Sequence, residues 1–341
     1  MNNINGFSKK ELKASLMPDI FHLILFPTEE CNFRCVYCYE DFAIGNMQPW
    51  LIDATKAFLS KKIPHLKHLN LSWFGGEPLV AKKIVFDIAQ FAYDLAQQYD
   101  CQLLGDITTN GSLLDVKTLT TLVALKQNRF QISIDGAKDH HDTTRLTRSG
   151  RGSFDKIWER LLAAAATDLD FHITLRIHVT AFNQQSVLEF CDLFTLELAQ
   201  DPRFSLFFKA IEDLGGNNQS QLQPLLDAGK PRQVAAQLQQ KYYPKPNDKH
   251  YICYAAKPNS LAIRANGALN KCTVALQDAG NVIGKINPDG SLEVNNQVFS
   301  TWIQGFVGLD TWKMACPHSY MEAQKQLKPE YSRDIAIIEV A

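Results

Sequence analysis

The chain has 341 residues, 45% of them hydrophobic, and its 35 Lys and Arg nearly balance its 36 Asp and Glu. That length carries a large core and about two domains, or one barrel with an appendage. A net charge of −1 makes no electrostatic case for nucleic acid or an anionic membrane, and the apolar runs are too short to span a bilayer, so neither partner is expected.

Met1 to Leu16 is polar, carries Lys9, Lys10 and Lys13, and lacks the apolar centre of a signal peptide, so a cytoplasmic location is expected. In a reducing compartment the 8 cysteines read as metal ligands or free thiols before they read as disulfides. Residues 1–18 form a lead-in with a short helix from Ser8 to Leu16. Asp19–Pro27 reads as the first strand, followed by a cysteine-bearing loop and a helix from Pro49 to about Ile63. Strands at Leu69–Phe74, Leu103–Thr109, Phe130–Ile134, Phe171–Thr180 and Phe204–Ala210 then alternate with helices at Val80–Tyr99, Asp115–Leu125, Ser153–Ala166 and Ser186–Leu198. Ser153 is placed as an N-cap.

Such alternation predicts an α/β fold, a partial (β/α)6 barrel of parallel strands over residues 19–213. Residues 214–250 read as a linker, with a helix from Pro231 to Tyr242 and breaks at Pro244, Pro246 and Asn247. Residues 251–341 read as a small α+β extension containing cysteines. Its hairpins pair Ser260–Arg264 with Leu269–Thr273, and Val282–Ile286 with Ser291–Val294. A helix over Val298–Ala315 follows, then a tail that is helical from Glu322 and extended over Ile335–Val340.

The working groups of parallel barrels sit at the carboxyl ends of the strands. Four unusual sequences fall at those ends: Cys31 to Cys38, Gly75-Gly76-Glu77-Pro78, Thr109-Asn110-Gly111 and Asp135-Gly136. Cys31, Cys35 and Cys38 lie within eight residues. Three thiolates on one loop can hold three irons of a cubane cluster and leave the fourth open. The competing readings are half of a zinc site and buried core thiols, but the chain holds no second C-x2-C pair. The glycines after the second strand allow a ligand close to the backbone. Glu77 can accept from an ammonium or brace its turn.

The spacing C-x3-C-x2-C, with Tyr37 before the last cysteine, resembles the radical S-adenosylmethionine (SAM) superfamily. The resemblance implies a [4Fe–4S] cluster on Cys31, Cys35 and Cys38, and SAM bound to its open iron. SAM is then cleaved reductively to a 5′-deoxyadenosyl radical that abstracts hydrogen from a substrate. It places Tyr37 near the adenine and Gly75, Gly76 and Glu77 at the SAM amino group. Ser133 to Gly136, His141 to Arg145 and Gly150 to Phe154 resemble the peptide-modifying and sulfatase-maturing branch, which implies Arg145 at the SAM carboxylate. A guanidinium fork suits that group. Asn110 and Ser133 are further candidates for SAM or substrate contacts, while His140 and His141 read as solvent-facing loop residues.

Cys253, Gly267 and Cys272, spaced C-x13-G-x4-C, resemble the opening of SPASM and twitch extensions. This implies one auxiliary [4Fe–4S] cluster, with Cys316 as a further ligand. Its fourth site is either open, filled by substrate or filled by His318. Cys101 and Cys191 read as core thiols. Glu212 and Asp213, just after the sixth strand, are candidate catalytic bases. The expected activity is modification of a peptide or protein by crosslinking, thioether formation, epimerisation or oxidation, with a reductant such as flavodoxin or ferredoxin. Only about 18 residues precede the first strand, so a separate leader-binding protein or another surface is expected to recognise a leader. The alternatives are a radical SAM dehydrogenase or cofactor-biosynthesis enzyme acting on a small molecule, and a non-enzymatic iron–sulfur or zinc protein.

Overall fold

The computed structural model describes residues 3–226, 230–243 and 250–327. Six parallel strands form the barrel wall: β1 (Ile20–Thr28), β2 (His68–Gly75), β3 (Gln102–Thr109), β4 (Gln127–Ile134), β5 (His172–Val179) and β6 (Phe204–Ala210). They lie in the order β6-β5-β4-β3-β2-β1, each beside its neighbour in sequence. Right-handed crossovers through helices produce this order, and the partial barrel is as expected.

The alternation along the strands decides what each face holds. On β5, Ile173, Leu175 and Ile177 are buried under the helices, while Arg176 and His178 line the interior cleft. On β4, Phe130, Ile132 and Ile134 pack outward, and Gln131 and Ser133 turn into the cleft. The period of two thus separates a hydrophobic jacket from a polar lumen.

The C-terminal strands are not a detached unit. β7 (Ser260–Ile263) pairs parallel with β1, through Leu261↔Leu23 and Ile263↔Leu25. β8 (Ala268–Asn270), β9 (Val282–Ile286) and β10 (Leu292–Val294) follow antiparallel, completing one ten-stranded sheet. β1 is therefore a central strand, which explains its nearly unbroken apolar sequence. Phe7 and Leu12 of the lead-in share a small core with Ile252, Ala256 and Met314, so the lead-in packs against the extension.

Several local expectations change. The helix expected over Val298–Ala315 is broken into Asn296–Ile303, a turn at Gln304–Phe306 and Thr311–Ala315. Gly308 and Leu309 lie at φ of 79° and 54°, outside helical space. Ser153 does not cap its helix. Its hydroxyl donates to the Arg145 carbonyl, and Asp142 instead accepts from the amides of Ser153 and Phe154. The strand expected to reach Thr273 ends at Asn270, because the amides of Lys271 and Cys272 donate to Asn281 Oδ1. Cys101 and Cys191 are buried in the core, as expected. The breaks at Pro244, Pro246 and Asn247, and the extended tail over residues 335–340, lie outside the described residues. Among the described residues no helix is long and apolar enough to cross a membrane.

Candidate radical SAM site

A cleft opens at the carboxyl ends of the six strands. Cys31, Cys35, Cys38, Tyr37, Gly75, Gly76, Asn110, Ser133, Arg145 and Glu212 all line it, although 181 residues separate the first from the last. Glu77 lies just behind its wall, and Asp213 is not part of the lining.

The cysteine loop is held by a ribbon that sequence reading missed. Phe33–Cys35 pairs antiparallel with Arg145–Thr147, which sets Cys35 opposite Arg145. Burial pushes the Cys31 and Cys38 thiols up to about 12, and nearby acidic groups and thiols add to that rise. Cys35 is raised in the same direction by burial, with Arg145 opposing. Three buried thiols that suppress one another's ionisation require strong positive charge to become thiolates. An iron–sulfur cluster supplies that charge, so the donor set fits one.

Gly75 and Gly76 sit where β2 closes onto the end of β1. A side chain on Gly75 would run into the Thr28 carbonyl, and one on Gly76 into the Glu30 carbonyl. Glu77 is fully buried, and its Oε1 accepts from Leu79 N (3.0 Å) and Thr109 Oγ1 (2.8 Å). Its Oε2 accepts from Asn110 N (2.6 Å). The carboxylate thus ties the ends of β2 and β3 together. Asn110 donates to Asn32 Oδ1 (2.8 Å) and so reaches the cysteine loop.

Arg145 is the buried cation of the cleft. Its Nη1 donates to Tyr37 Oη (2.8 Å), while its Nε has no partner among the described residues. The Tyr37 hydroxyl lies 2.8 Å from both Asp135 oxygens and 2.9 Å from His178 Nδ1. Thr144 Oγ1 also donates to Asp135, at 2.6 Å. The hydrogen bond from His178 and the nearby Arg145 charge hold the Asp135 carboxyl well below the usual range against its burial. Burial brings His178 down to about 4, so the ring is neutral near pH 7. A proton on Nδ1 then donates to Asp135 Oδ1, 3.2 Å away. This brace of Tyr37, Asp135, His178 and Arg145 escaped sequence reading. The available signal was His172, Thr174, Arg176 and His178 at alternate positions of the strand read over Phe171–Thr180.

His141 is also a correction. It is fully buried on the helix Lys138–Thr144, accepts from Asp135 N (3.3 Å) and meets Ser153 Oγ at 3.0 Å. Burial lowers it to about 4. Glu212 is held by Lys209 (2.7 Å) and Arg232 (3.3 Å) at the cleft wall. Asp213 accepts from Gly215 N at 2.9 Å.

The second cysteine set gathers from three segments. Cys253 N donates to Met314 O (2.9 Å), next to Cys316. Burial pushes the Cys253 thiol up to about 11, with Cys272 and Cys316 raising it further. Cys272 is raised by burial and also by Cys316. Three thiols drawn from separate segments, two of them raised by burial and by their neighbours, are a donor set whose chemistry fits an iron–sulfur cluster. His318 is engaged elsewhere: its ring stacks on Trp302, and its Nε2 is 3.6 Å from Asp278. The extension also closes the cleft. Val274 lines it, and Tyr39 Oη donates to Thr273 O at 3.5 Å. A buried pair, Arg264 with Glu29, joins the β7 turn to the start of the cysteine loop.

A cysteine loop at the mouth of a partial parallel barrel, opposite a buried arginine, defines a radical SAM site. A sequence model of the radical SAM superfamily matches residues 25–194, and the chain belongs to that superfamily. It is 23% identical over 219 residues to the cysteine-type anaerobic sulfatase-maturating enzyme of Clostridium novyi, covering 60% of this chain and 54% of that one. It is 28% identical over 305 residues to the GTP 3′,8-cyclase of Desulforamulus reducens, covering 76% and 83%. Of three curated relatives it matches, the chain spans 30%, 54% and 28% of their length. The fold is shared with anSMEcpe with bound AdoMet, at TM-score 0.58 and 16% identity over 87% of this chain and 88% of that one. It is also shared with Streptococcus suis SuiB bound to its precursor peptide SuiA, at TM-score 0.55 and 14% identity over 87% and 69%.

Proposed function

We propose that this radical SAM enzyme modifies a peptide or protein, with SAM and a [4Fe–4S] cluster bound in the cleft. When bound and reduced, the cluster supplies one electron that breaks a carbon–sulfur bond of SAM, giving methionine and a 5′-deoxyadenosyl radical. Cys31, Cys35 and Cys38 would hold it. The carrying observation is the unpartnered Nε of Arg145, buried in the same cleft as those thiols. That nitrogen is free for the SAM carboxylate while Tyr37 and Asp135 fix the guanidinium. The carbonyls at Gly75 and Gly76 would take the SAM amino group. Glu77 acts as a brace, and Asn110 and Ser133 offer polar contacts. Cys253, Cys272 and Cys316 would hold one auxiliary cluster, with a flavodoxin or ferredoxin as reductant.

A peptide substrate is supported by the shared fold with two proteins captured with peptides, SuiB with SuiA and anSMEcpe with Cp18Cys. A small-molecule substrate is the second reading, favoured by the longer alignment with the GTP 3′,8-cyclase. Anaerobic reconstitution, reduction and an assay for 5′-deoxyadenosine test the core of the proposal. Protein that carries its iron yet never cleaves SAM with any reductant would refute it. Activity on a peptide encoded beside the gene, compared with GTP and small alcohols, separates the two substrate classes.

A further inference from the structure

Glu40 stands two positions after the third cysteine of the loop and lines the cleft. It is 6% exposed, and among the described residues neither carboxylate oxygen has a hydrogen-bond partner. Folded proteins pair nearly every buried carboxylate, since an unpaired one forfeits its hydration without return.

Among the described residues no neighbouring cation pairs with Glu40: Arg176 and Arg145 share the cleft and each keeps an unpartnered Nε, yet neither bonds to it. Arg264 gives Nε and Nη2 to Glu29 and Nη1 to the Leu276 carbonyl. Lys209 is taken by Glu212, and Arg145 by Tyr37. The other acids around the cleft are satisfied as well: Asp135 by Tyr37, Thr144 and His178, and Glu77 by three donors. Glu40 is the carboxylate of this cleft left without a donor among the described residues.

We propose that Glu40 anchors a cationic, hydrogen-bond-donating group of the bound molecule, an alkylammonium or a guanidinium. The assignment rests on the reading of the cleft as a SAM and substrate site. Such a group could come from the substrate, as a Lys, Arg or free amine, or from SAM, whose α-ammonium would then be shared between Glu40 and the Gly75 and Gly76 carbonyls. In either case two buried oxygens meet two or three N–H donors, and the ion pair forms only when the cleft is filled.

The test uses cluster-reconstituted wild type and Glu40→Gln, matched for iron per chain and circular dichroism. One arm measures binding of SAM and of an analogue lacking the α-ammonium. The other measures binding, in the presence of SAM, of acetyl-Gly-Gly-Lys-Gly-Gly-amide and its norleucine counterpart. The expected result is a loss of at least about tenfold in affinity for one cationic probe in Glu40→Gln, with its uncharged counterpart unaffected. Loss on SAM assigns the α-ammonium, and loss on the lysine peptide assigns the substrate cation.

Equal binding of both cationic probes to the two proteins overturns the assignment. Iron-loaded wild type that neither binds nor cleaves SAM refutes the reading of the site, and Glu40 with it. The ligand-free state gives a separate check. Glu40→Met removes a buried carboxyl group without a partner among the described residues and should raise the thermal midpoint. A lowered midpoint would mean that the carboxylate already has a partner in the protein, which also overturns the proposal.

Discussion

Replacing Arg264 by methionine would test how the extension is fastened to the cysteine loop. Glu29 is fully buried and lies two residues before Cys31. Arg264 grips it with Nε to Oε1 at 3.0 Å and Nη2 to Oε2 at 2.5 Å. Removing the guanidinium leaves Glu29, among the described residues, with only the longer bond from Ala265 N, at 3.4 Å. Breaking one side of a buried ion pair costs about 3–5 kcal/mol. At roughly 2–4 °C per kcal/mol in large domains, the thermal midpoint should fall by about 6 °C or more. The assay is thermal denaturation of Arg264→Met, Glu29→Gln and the double variant. The double variant should recover much of the loss, because no charge remains stranded. Single variants that each cost under about 1 kcal/mol, or a double variant that costs their full sum, would refute the reasoning.

Cys35→Ala should abolish 5′-deoxyadenosine formation, whereas Cys272→Ala should lower iron content and lose product yet still cleave SAM without coupling; iron analysis and the nucleoside assay read both. Tyr37→Phe removes the hydroxyl between Arg145 and Asp135 and should weaken SAM binding by about tenfold, at about 1–2 kcal/mol for a charge-assisted hydrogen bond, with the fold intact by circular dichroism. His141, lowered by burial from 6.5 to about 4, is neutral in the folded chain and takes up a proton on unfolding below pH 6.5. Its presence should therefore lose value as pH falls from about 6.5 toward 4. His141→Asn should be less stable than wild type at pH 7.5, and the gap between their denaturation midpoints should narrow by pH 5. Glu40, raised to about 8 by burial, changes stability in the opposite sense over part of this range. That contribution cancels in the comparison with wild type, and a gap independent of pH would contradict the assignment of a neutral buried imidazole.

Much of the site was legible because its signals are local. Three thiols in one loop, two glycines after a strand and alternating strand and helix periods each depend on neighbours a few residues away. The unread parts depend on partners far along the chain. Glu77 appeared as a possible ligand contact, and its hydrogen bonds from Thr109 and Asn110 emerge only once β2 and β3 lie side by side. His141 looked solvent-facing because a seven-residue helix, Lys138–Thr144, gives too little periodicity to reveal its buried face.

The sequence alone determined the six-stranded barrel, the ligands expected at its rim and the second cysteine set, since strand period, turn chemistry and cysteine spacing are written in contiguous residues. Only the tertiary structure decided that β7 would extend the barrel sheet beside β1. It also brought Tyr37 to Asp135 across 98 residues and Arg264 to Glu29 across 235. Pairing between distant strands sets those contacts, and a one-residue change of register would turn the same side chains to the other face. The same assembly surrounded Glu40 without giving it a partner among the described residues, a property no stretch of sequence could announce.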